Sequence, residues 1–320
     1  MIISFLQFNV MKKYIVSSKF LLLTLLLFTS AAALLYIMDS VSYTNMINNG
    51  YISKNAVEFI INTEESSLDI DLNEPYLLMQ YKLDNPKLKY IYINKSVKLP
   101  PINYNKPPLA TDYIITGTVF PEGALSKNMK SLVIGQFATP GSYLNREAWY
   151  ISKTQQINLA NGTKFILNVE SGNPYKLMQK MFPNTSYQLI ENEDRGTAIL
   201  KSNVLLNGFL LISVLFVIIA QAVTVYYSIQ RKKSIVQILY LAGGKWHIIF
   251  HKVFIAEFIA LFVIMLLESL VLIAVNHFYS TWGSHWYYVA VFYMFITIIG
   301  YFLACLLMTK SLIKKGVRSF

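Results

Sequence analysis

"SNVLLNGFLLISVLFVIIAQAVTVYYSIQ", Ser202 to Gln230, contains no charged residue. A bilayer hydrocarbon core of about 30 Å is crossed by about 20 apolar helical residues at about 1.5 Å each, so this stretch is long enough to span it. Three more stretches qualify. "FLLLTLLLFTSAAALLYIM", Phe20 to Met38, is also uncharged; Ile249 to Val275 carries Glu257 and Glu268; Trp286 to Met308 has no ionisable group beyond Tyr and Cys305. A composition of 54% hydrophobic and only 14% charged residues does not suit a soluble domain of 320 residues. The fold class expected is a membrane protein of four transmembrane α-helices, with a mixed α+β extracytoplasmic domain inserted between helices 1 and 2.

Charge sets the expected orientation. Of 28 Lys and Arg, 16 fall between Asp39 and Lys201, where 15 Asp and Glu nearly cancel them. The remaining 12 are Lys12, Lys13, Lys19, Arg231, Lys232, Lys233, Lys245, Lys252, Lys310, Lys314, Lys315 and Arg318. They cluster at the N-terminus, after the second span and in the tail, so the positive-inside rule places those segments in the cytoplasm of a cell (plasma) membrane. The net charge of +11 is thus a topology signal, with the lipid bilayer and not nucleic acid as the partner. The loop "NHFYSTWGSHWYY" has no Lys or Arg and is rich in Trp and Tyr, as at an outer interface.

The expected order is a cytoplasmic N-terminus (1–13), span one (14–38), the extracytoplasmic domain (39–201) and span two (202–230). A cytoplasmic amphipathic helix (231–248), span three (249–275), an outer loop (276–285), span four (286–308) and a cytoplasmic tail (309–320) follow. "MKKYIVSSKF" looks like a natural start at Met11, and Met1 to Val10 is then read either as a mis-called extension or as a short surface segment. "SAAA", Ser30 to Ala33, offers an A-x-A-like cleavage site, so an alternative makes span one a signal peptide; its apolar run is longer than the usual h-region of about 7–15 residues. The single cysteine, Cys305, excludes an intrachain disulfide.

In the inserted domain, β-rich runs occur at Ala56 to Asn62, Leu88 to Asn94, Tyr113 to Phe120, Ser131 to Phe137, Ala148 to Ser152 and Lys164 to Glu170, separated by Pro, Gly and Asn clusters. "NPYKLMQKMF" reads as a helix, with Pro174 in its first turn and Pro183 beyond its end. Pro100, Pro101, Pro107 and Pro108 bracket an extended connector. "DSVSYTNMINNG" lacks proline, so the first helix is expected to continue from about Tyr14 to Asn49 with Gly50 as C-cap, and the second to begin near Thr197. Both would then project as stalks, the alternative being flexible linkers.

"LAGGKWHIIFH", Leu241 to His251, invites two chemical readings. A Walker A loop needs a glycine five residues before Gly244, where Leu239 stands, and a hydroxyl after the lysine, where Trp246 stands. His247 and His251 have the i, i+4 spacing of a zinc protease, but Ile248 replaces the glutamate that would act as general base. No catalytic, nucleotide-binding or metal motif is found, no cofactor is expected, and the chain is not read as an enzyme. Periodicity gives an architectural answer. Ile235, Ile238, Leu239, Ala242 and Trp246 recur at i, i+3, i+4, i+7 and i+11, while Lys233, Gln237, Tyr240 and Gly244 lie mostly opposite. This describes a short amphipathic helix ended by Gly243-Gly244, from which the chain turns back into the membrane.

"QRKKSIVQILYLAGGKWHIIFHKVFIAE", Gln230 to Glu257, resembles the conserved segment of FtsX-like and MacB-like permeases of ABC transporters. Arg231 to Lys233 match its basic lead, Ile238, Leu239 and Gly243 its helix, and Glu257 its glutamate early in the next span. Ser234 departs from the acidic residue common there. The order of one span, a large domain and three spans is similar too, and the richness in Asn, Lys, Ile and Tyr resembles bacteriocin-associated permeases of low-GC Gram-positive bacteria. The resemblance implies a separate cytoplasmic ABC ATPase subunit pressing on Lys233, Ser234, Ile235, Ile238, Leu239, Ala242 and Gly243, and a homodimer or a heterodimer with a second permease. The function implied is mechanotransmission or ATP-driven transport, for export of or resistance to antimicrobial peptides. The alternatives are a non-transporting regulator of a cell-wall hydrolase and a bacteriocin-associated immunity or receptor protein. Glu257 and Glu268, eleven residues apart and so about 20° apart around a helix, should both face the bundle interior, either as a proton relay or gate or as packed carboxyls. Lys252 or a neighbouring span is the expected help for Glu257.

Overall fold

The computed structural model describes residues 18–317 apart from 54, 64, 71–73, 95–96, 108–111, 153, 155, 171, 184, 191–196, 280–281 and 283–284, and of residues 18, 122, 197–205, 207, 285 and 312–317 it describes the backbone only. The expected start at Met11, helical onset at Tyr14 and the tail beyond Val317 lie outside the described residues. Two compact units are present, Ser40–Thr197 and a second that joins the chain before Ser40 to the chain after Thr197.

The inserted unit is built on a nine-stranded mixed sheet. Its strands are β1 (Val57–Ile61), β3 (Leu77–Tyr81), β4 (Leu88–Ile93), β5 (Ile102–Tyr104), β6 (Tyr113–Thr116), β7 (Val133–Phe137), β8 (Ala148–Ser152), β10 (Lys164–Asn168) and β11 (Tyr187–Ile190); β2 (Ser67–Asp69) and β9 (Gln156–Asn158) pair separately. The order is β11-β1-β10-β3-β4-β8-β6-β7-β5, with β4/β8 and β6/β7 parallel and the other neighbours antiparallel. The expected runs at Ala56, Leu88, Ala148 and Lys164 coincide with strands, whereas those at Tyr113 and Ser131 are trimmed to Tyr113–Thr116 and Val133–Phe137. Two short helices complete the unit, α2 (Lys127–Ser131) and α3 (Pro174–Met181). Asn173 caps α3 by accepting from the N–H of Tyr175 (2.9 Å), and Pro174 occupies the first turn, where its missing N–H costs nothing. Leu177, Met178 and Met181 are the buried face of α3, and they share one core with Phe59, Phe165 and Phe182. Phe59 and Phe165 stack across β1/β10 at 5.5 Å.

Among the described residues, four helices are long and apolar enough to cross a membrane: Lys19–Asn48, Gly208–Leu241, Trp246–Phe278 and Trp286–Ser311. They lie in α1 (Ser18–Asn48), α4 (Thr197–Leu241), α5 (Trp246–Phe278) and α6 (His285–Val317). On α5 the buried positions Ile249, Val253, Glu257, Leu261, Met265, Glu268 and Leu272 recur every three or four residues, and on α6 Trp286, Ala290, Met294, Ile298, Tyr301 and Cys305 do the same. These stripes are the seams of helix packing. Aromatic pairs fix α1 antiparallel to α6: Phe20 meets Tyr301 (5.3 Å), Phe28 meets Tyr293 (5.9 Å) and Tyr36 meets Trp286 (5.1 Å).

The short amphipathic helix expected over 231–248 is not a separate element. Residues 231–241 are the last three turns of α4, which runs 45 residues without a break, and Trp246 is the first residue of α5. No proline or glycine interrupts Val223 to Leu241, so nothing in that stretch stops the helix at the end of the apolar segment.

Candidate functional site

The α4–α5 hairpin is closed by backbone chemistry. The N–H of Gly243 bonds the carbonyl of Tyr240 (2.9 Å) and that of Gly244 bonds Leu239 (3.0 Å), the paired bonds of a Schellman motif. Gly243 has φ +84°, and a Cβ on Gly244 would stand 2.8 Å from the Leu239 carbonyl oxygen, so both positions require glycine. Lys245 then caps α5 in an extended conformation. On α6, Lys310 lies over the Trp246 ring at 5.4 Å.

Nine residues before the end of α4, Lys232 turns inward. Its ammonium pairs with Glu257 Oε2 on α5, and Tyr301 of α6 donates its hydroxyl to the same oxygen while accepting from Lys232 Nζ at 3.3 Å. The Lys232 and Glu257 side chains are 4% and 0% exposed, and Lys232 also sits over the Phe254 ring at 5.0 Å. Three helices are thus tied by one charged triad inside apolar surroundings, where an unpaired charge would be expelled. Glu257 Oε1 has no hydrogen-bond partner among the described residues.

This triad fixes which face of the α4 end points inward. Lys232, Val236 and Leu239 follow i, i+4, i+7; Val236 is fully buried, and Ile235, Leu239 and Tyr240 pack against the helical core. Lys233, Ser234, Ile238, Ala242 and Gly243 are exposed, with Ile238 64% and Leu241 69% accessible. The stripe read from periodicity is therefore split: Ile235 and Leu239 face the core, Ile238 and Ala242 do not, and Tyr240 packs inward instead of lying opposite. Lys252 is exposed and does not help Glu257. Glu268 is buried on the same α5 stripe, and His247 and His251 are both exposed. The sequence reading took Lys232 only as part of the basic cluster and did not single out Tyr301. A span glutamate that needs a countercharge was the available signal for Lys232.

In the inserted unit the end of α1 is held by a second Schellman turn. Gly50 and Tyr51 have φ +74° and +64°, the N–H of Tyr51 bonding Met46 O at 2.7 Å. Positive φ is uncommon for tyrosine. It is held by its hydroxyl donating to Lys98 O (2.8 Å), by Asn168 Nδ2 donating to its carbonyl (2.8 Å) and by edge-on contact with Trp149 at 5.8 Å. Burial raises the pKa of Tyr51. It also pushes Tyr92 up to about 12 and Tyr150 up to about 12, the latter with help from its bond to the Asp112 carboxylate (2.9 Å). A phenol whose folded pKa exceeds the ordinary 10.0 contributes stability that is complete below pH 10 and lost as pH rises towards 12. Alkaline unfolding of this unit is expected in that window. A tyrosinate absorbance titration run beside circular dichroism checks it: phenols that all ionise at the ordinary value with the fold intact would contradict it.

An open cleft of about 770 Å³ lies beside β1, β11 and the start of α3, lined by Asn55, Asn173, Tyr175 and Leu189 among others. Glu58, the one acidic wall residue among the described residues, is already held by Lys164 (2.9 Å) and the Tyr81 hydroxyl (2.6 Å). Among the described residues no cluster of His, Cys, Asp and Glu could hold a metal ion. Comparison with known proteins finds no family model and no curated protein that matches this chain. Function is therefore read from the residues themselves.

Proposed function

We propose that this chain is the transmembrane subunit of an ATP-driven, FtsX-like or MacB-like assembly, converting the cycle of a separate ABC ATPase into movement of the inserted domain. The observation that carries this reading is the glycine-closed tip of the α4–α5 hairpin. It presents Lys233, Ile238 and Leu241 outward, and less than three turns away Lys232 locks α4 to α5 and α6. A push on such a tip moves three spans together. Movement requires that the ATPase bind two arrangements of the hairpin unequally, since equal binding shifts nothing. In this reading the termini and the hairpin are cytoplasmic and the inserted domain is extracytoplasmic, as the uncancelled lysines and arginines favour. The transported or regulated molecule is an antimicrobial peptide in this proposal, and the assembly contains two permease chains.

The test is recovery of the ATPase with the detergent-solubilised chain. Ile238→Asp and Leu241→Asp change exposed positions only, and Gly243→Pro forbids the positive φ of the turn. Each is expected to weaken the complex about tenfold or more, about 1.4 kcal/mol or more, as for a side chain central to an interface. Undiminished recovery in all three overturns the docking role. Modification of Tyr240→Cys by an impermeant reagent in intact cells overturns the orientation.

A further inference from the structure

The contacts around Lys232 put four helices in register. Lys232 of α4 pairs with Glu257 of α5, Tyr301 of α6 bonds the same carboxylate, and Phe20 of α1 packs on the Tyr301 ring at 5.3 Å. Close to this plane, three of the helices turn from uncharged to cationic. The uncharged run of α4 ends at Gln230, and Arg231 and Lys233 flank the triad lysine; the run of α1 begins at Phe20, with Lys19 before it. Lys252 stands five residues before Glu257, about 7.5 Å along α5 at about 1.5 Å per residue. On α6 the first cation, Lys310, comes nine residues past Tyr301, about 14 Å further on, and lies over Trp246 instead.

Lys19, Arg231, Lys233 and Lys252 are all exposed, whereas Lys232 among them is buried and neutralised. None of the four forms an ion pair with another described residue. The acidic side chains of the helical unit are Asp39, Glu257 and Glu268. Glu257 is taken by Lys232, and the other two lie about 28 and 16 Å along their helices from the plane, beyond the reach of these cations. Four uncompensated charges therefore ring the helices where their apolar runs begin. On the apolar side of each helix's cation, on the same face, stands an exposed apolar or aromatic side chain: Leu23 (44%) four residues from Lys19, Tyr227 (63%) four from Arg231 and Ile259 (56%) seven from Lys252. A ligand matching both features carries a phosphate at one end and hydrocarbon at the other. A zwitterionic lipid brings its own cation to such a site and leaves the four charges unbalanced, whereas an anionic lipid balances them.

We propose that Lys19, Arg231, Lys233 and Lys252 form a collar that binds anionic phospholipid, its headgroup held by the cations and its acyl chains lying on the apolar faces beside them. The proposal rests on the membrane-spanning reading of the four helices and is independent of the ATPase.

Electron paramagnetic resonance of spin-labelled lipid tests it, because lipid in contact with protein is motionally restricted. The full chain is reconstituted in phosphatidylcholine vesicles with a trace of labelled phosphatidylglycerol or labelled phosphatidylcholine. One Lys or Arg near the surface favours an anionic lipid by about fivefold, so association of phosphatidylglycerol is expected to exceed that of phosphatidylcholine by about that factor. At about 1 M salt, where charges are screened beyond about 3 Å, the preference should vanish. Lys19→Gln/Arg231→Gln/Lys252→Gln, which leaves Lys233 in place, is expected to reduce the preference below about twofold with the restricted phosphatidylcholine unchanged. Lys19→Arg/Arg231→Lys/Lys252→Arg keeps the charges and should keep the preference. Equal association of the two lipids in the parent, an undiminished preference in the glutamine variant or its loss in the charge-conserving one overturns the collar. Absence of restricted lipid of either kind would remove the membrane reading and the collar with it.

Discussion

Lys232→Ala and Glu257→Ala are each expected to lower stability by about 3–5 kcal/mol, because each strands the partner's charge inside the bundle. The pair is 4% and 0% exposed, so water cannot compensate the survivor, and the Tyr301 hydroxyl bonds only one carboxylate oxygen. Lys232→Met/Glu257→Leu is expected to recover most of the loss, since replacing both charges with apolar side chains of similar volume removes the desolvation cost along with the attraction. Reversible unfolding in mixed detergent micelles measures all three variants. Single variants as stable as the parent would mean that the ammonium and carboxylate are solvated, and the triad would lose its role as the joint between α4, α5 and α6. If the proposed function holds, recovery of stability in the double variant without recovery of ATPase coupling would separate holding the helices together from transmitting movement.

Trp149→Ala is expected to cost the inserted domain about 3–5 kcal/mol, the range for deleting a fully buried large aromatic. Trp149 is 0% exposed, edge-on to Tyr51 at 5.8 Å and to Phe137 at 5.2 Å. Its indole N–H donates to Glu147 Oε2 (3.1 Å), whose other oxygen accepts from Lys89 at 2.6 Å. Truncation thus removes packing, one bond to a charged group, and one of the supports that keep Tyr51 at positive φ. Trp149→Phe keeps most of the ring and loses the N–H, so it should cost less, about 1.5–3 kcal/mol for the lost charged hydrogen bond. Chemical denaturation followed by far-ultraviolet circular dichroism separates the two variants. Equal losses would show that the indole N–H, and not the packing, dominates.

What the sequence made legible follows from which forces act locally. The four long apolar helices were readable because length and apolarity alone define them. Strands β1, β4, β8 and β10 were readable from β-branched and aromatic runs bounded by turn residues. Strand β3 was not: Leu77 to Tyr81 are all buried, so this interior strand shows no alternation, and its Leu, Met and Gln do not favour a strand by type. The three-residue strands β2, β5 and β9 are too short to carry a period. At the hairpin, the glycine turn was readable because only glycine tolerates it. The facing of the α4 end was not, because Arg231, Lys232 and Lys233 are alike in sequence. The choice of Lys232 as the buried one comes from Glu257 and Tyr301, 25 and 69 residues away.

The strand order bears on biogenesis. Strand β1 is the first to be synthesised, yet both its neighbours, β10 and β11, come more than 100 residues later, between Lys164 and Ile190. Phe59, Ile60 and Ile61 thus have no sheet partner until nearly the whole insert has been made, at roughly 5–20 residues per second. Pairings of such long sequence separation close slowly. During that interval the nascent chain exposes an unpaired apolar edge, so a holdase that shields extended segments, more than one that accelerates local folding, should raise the yield of mature protein.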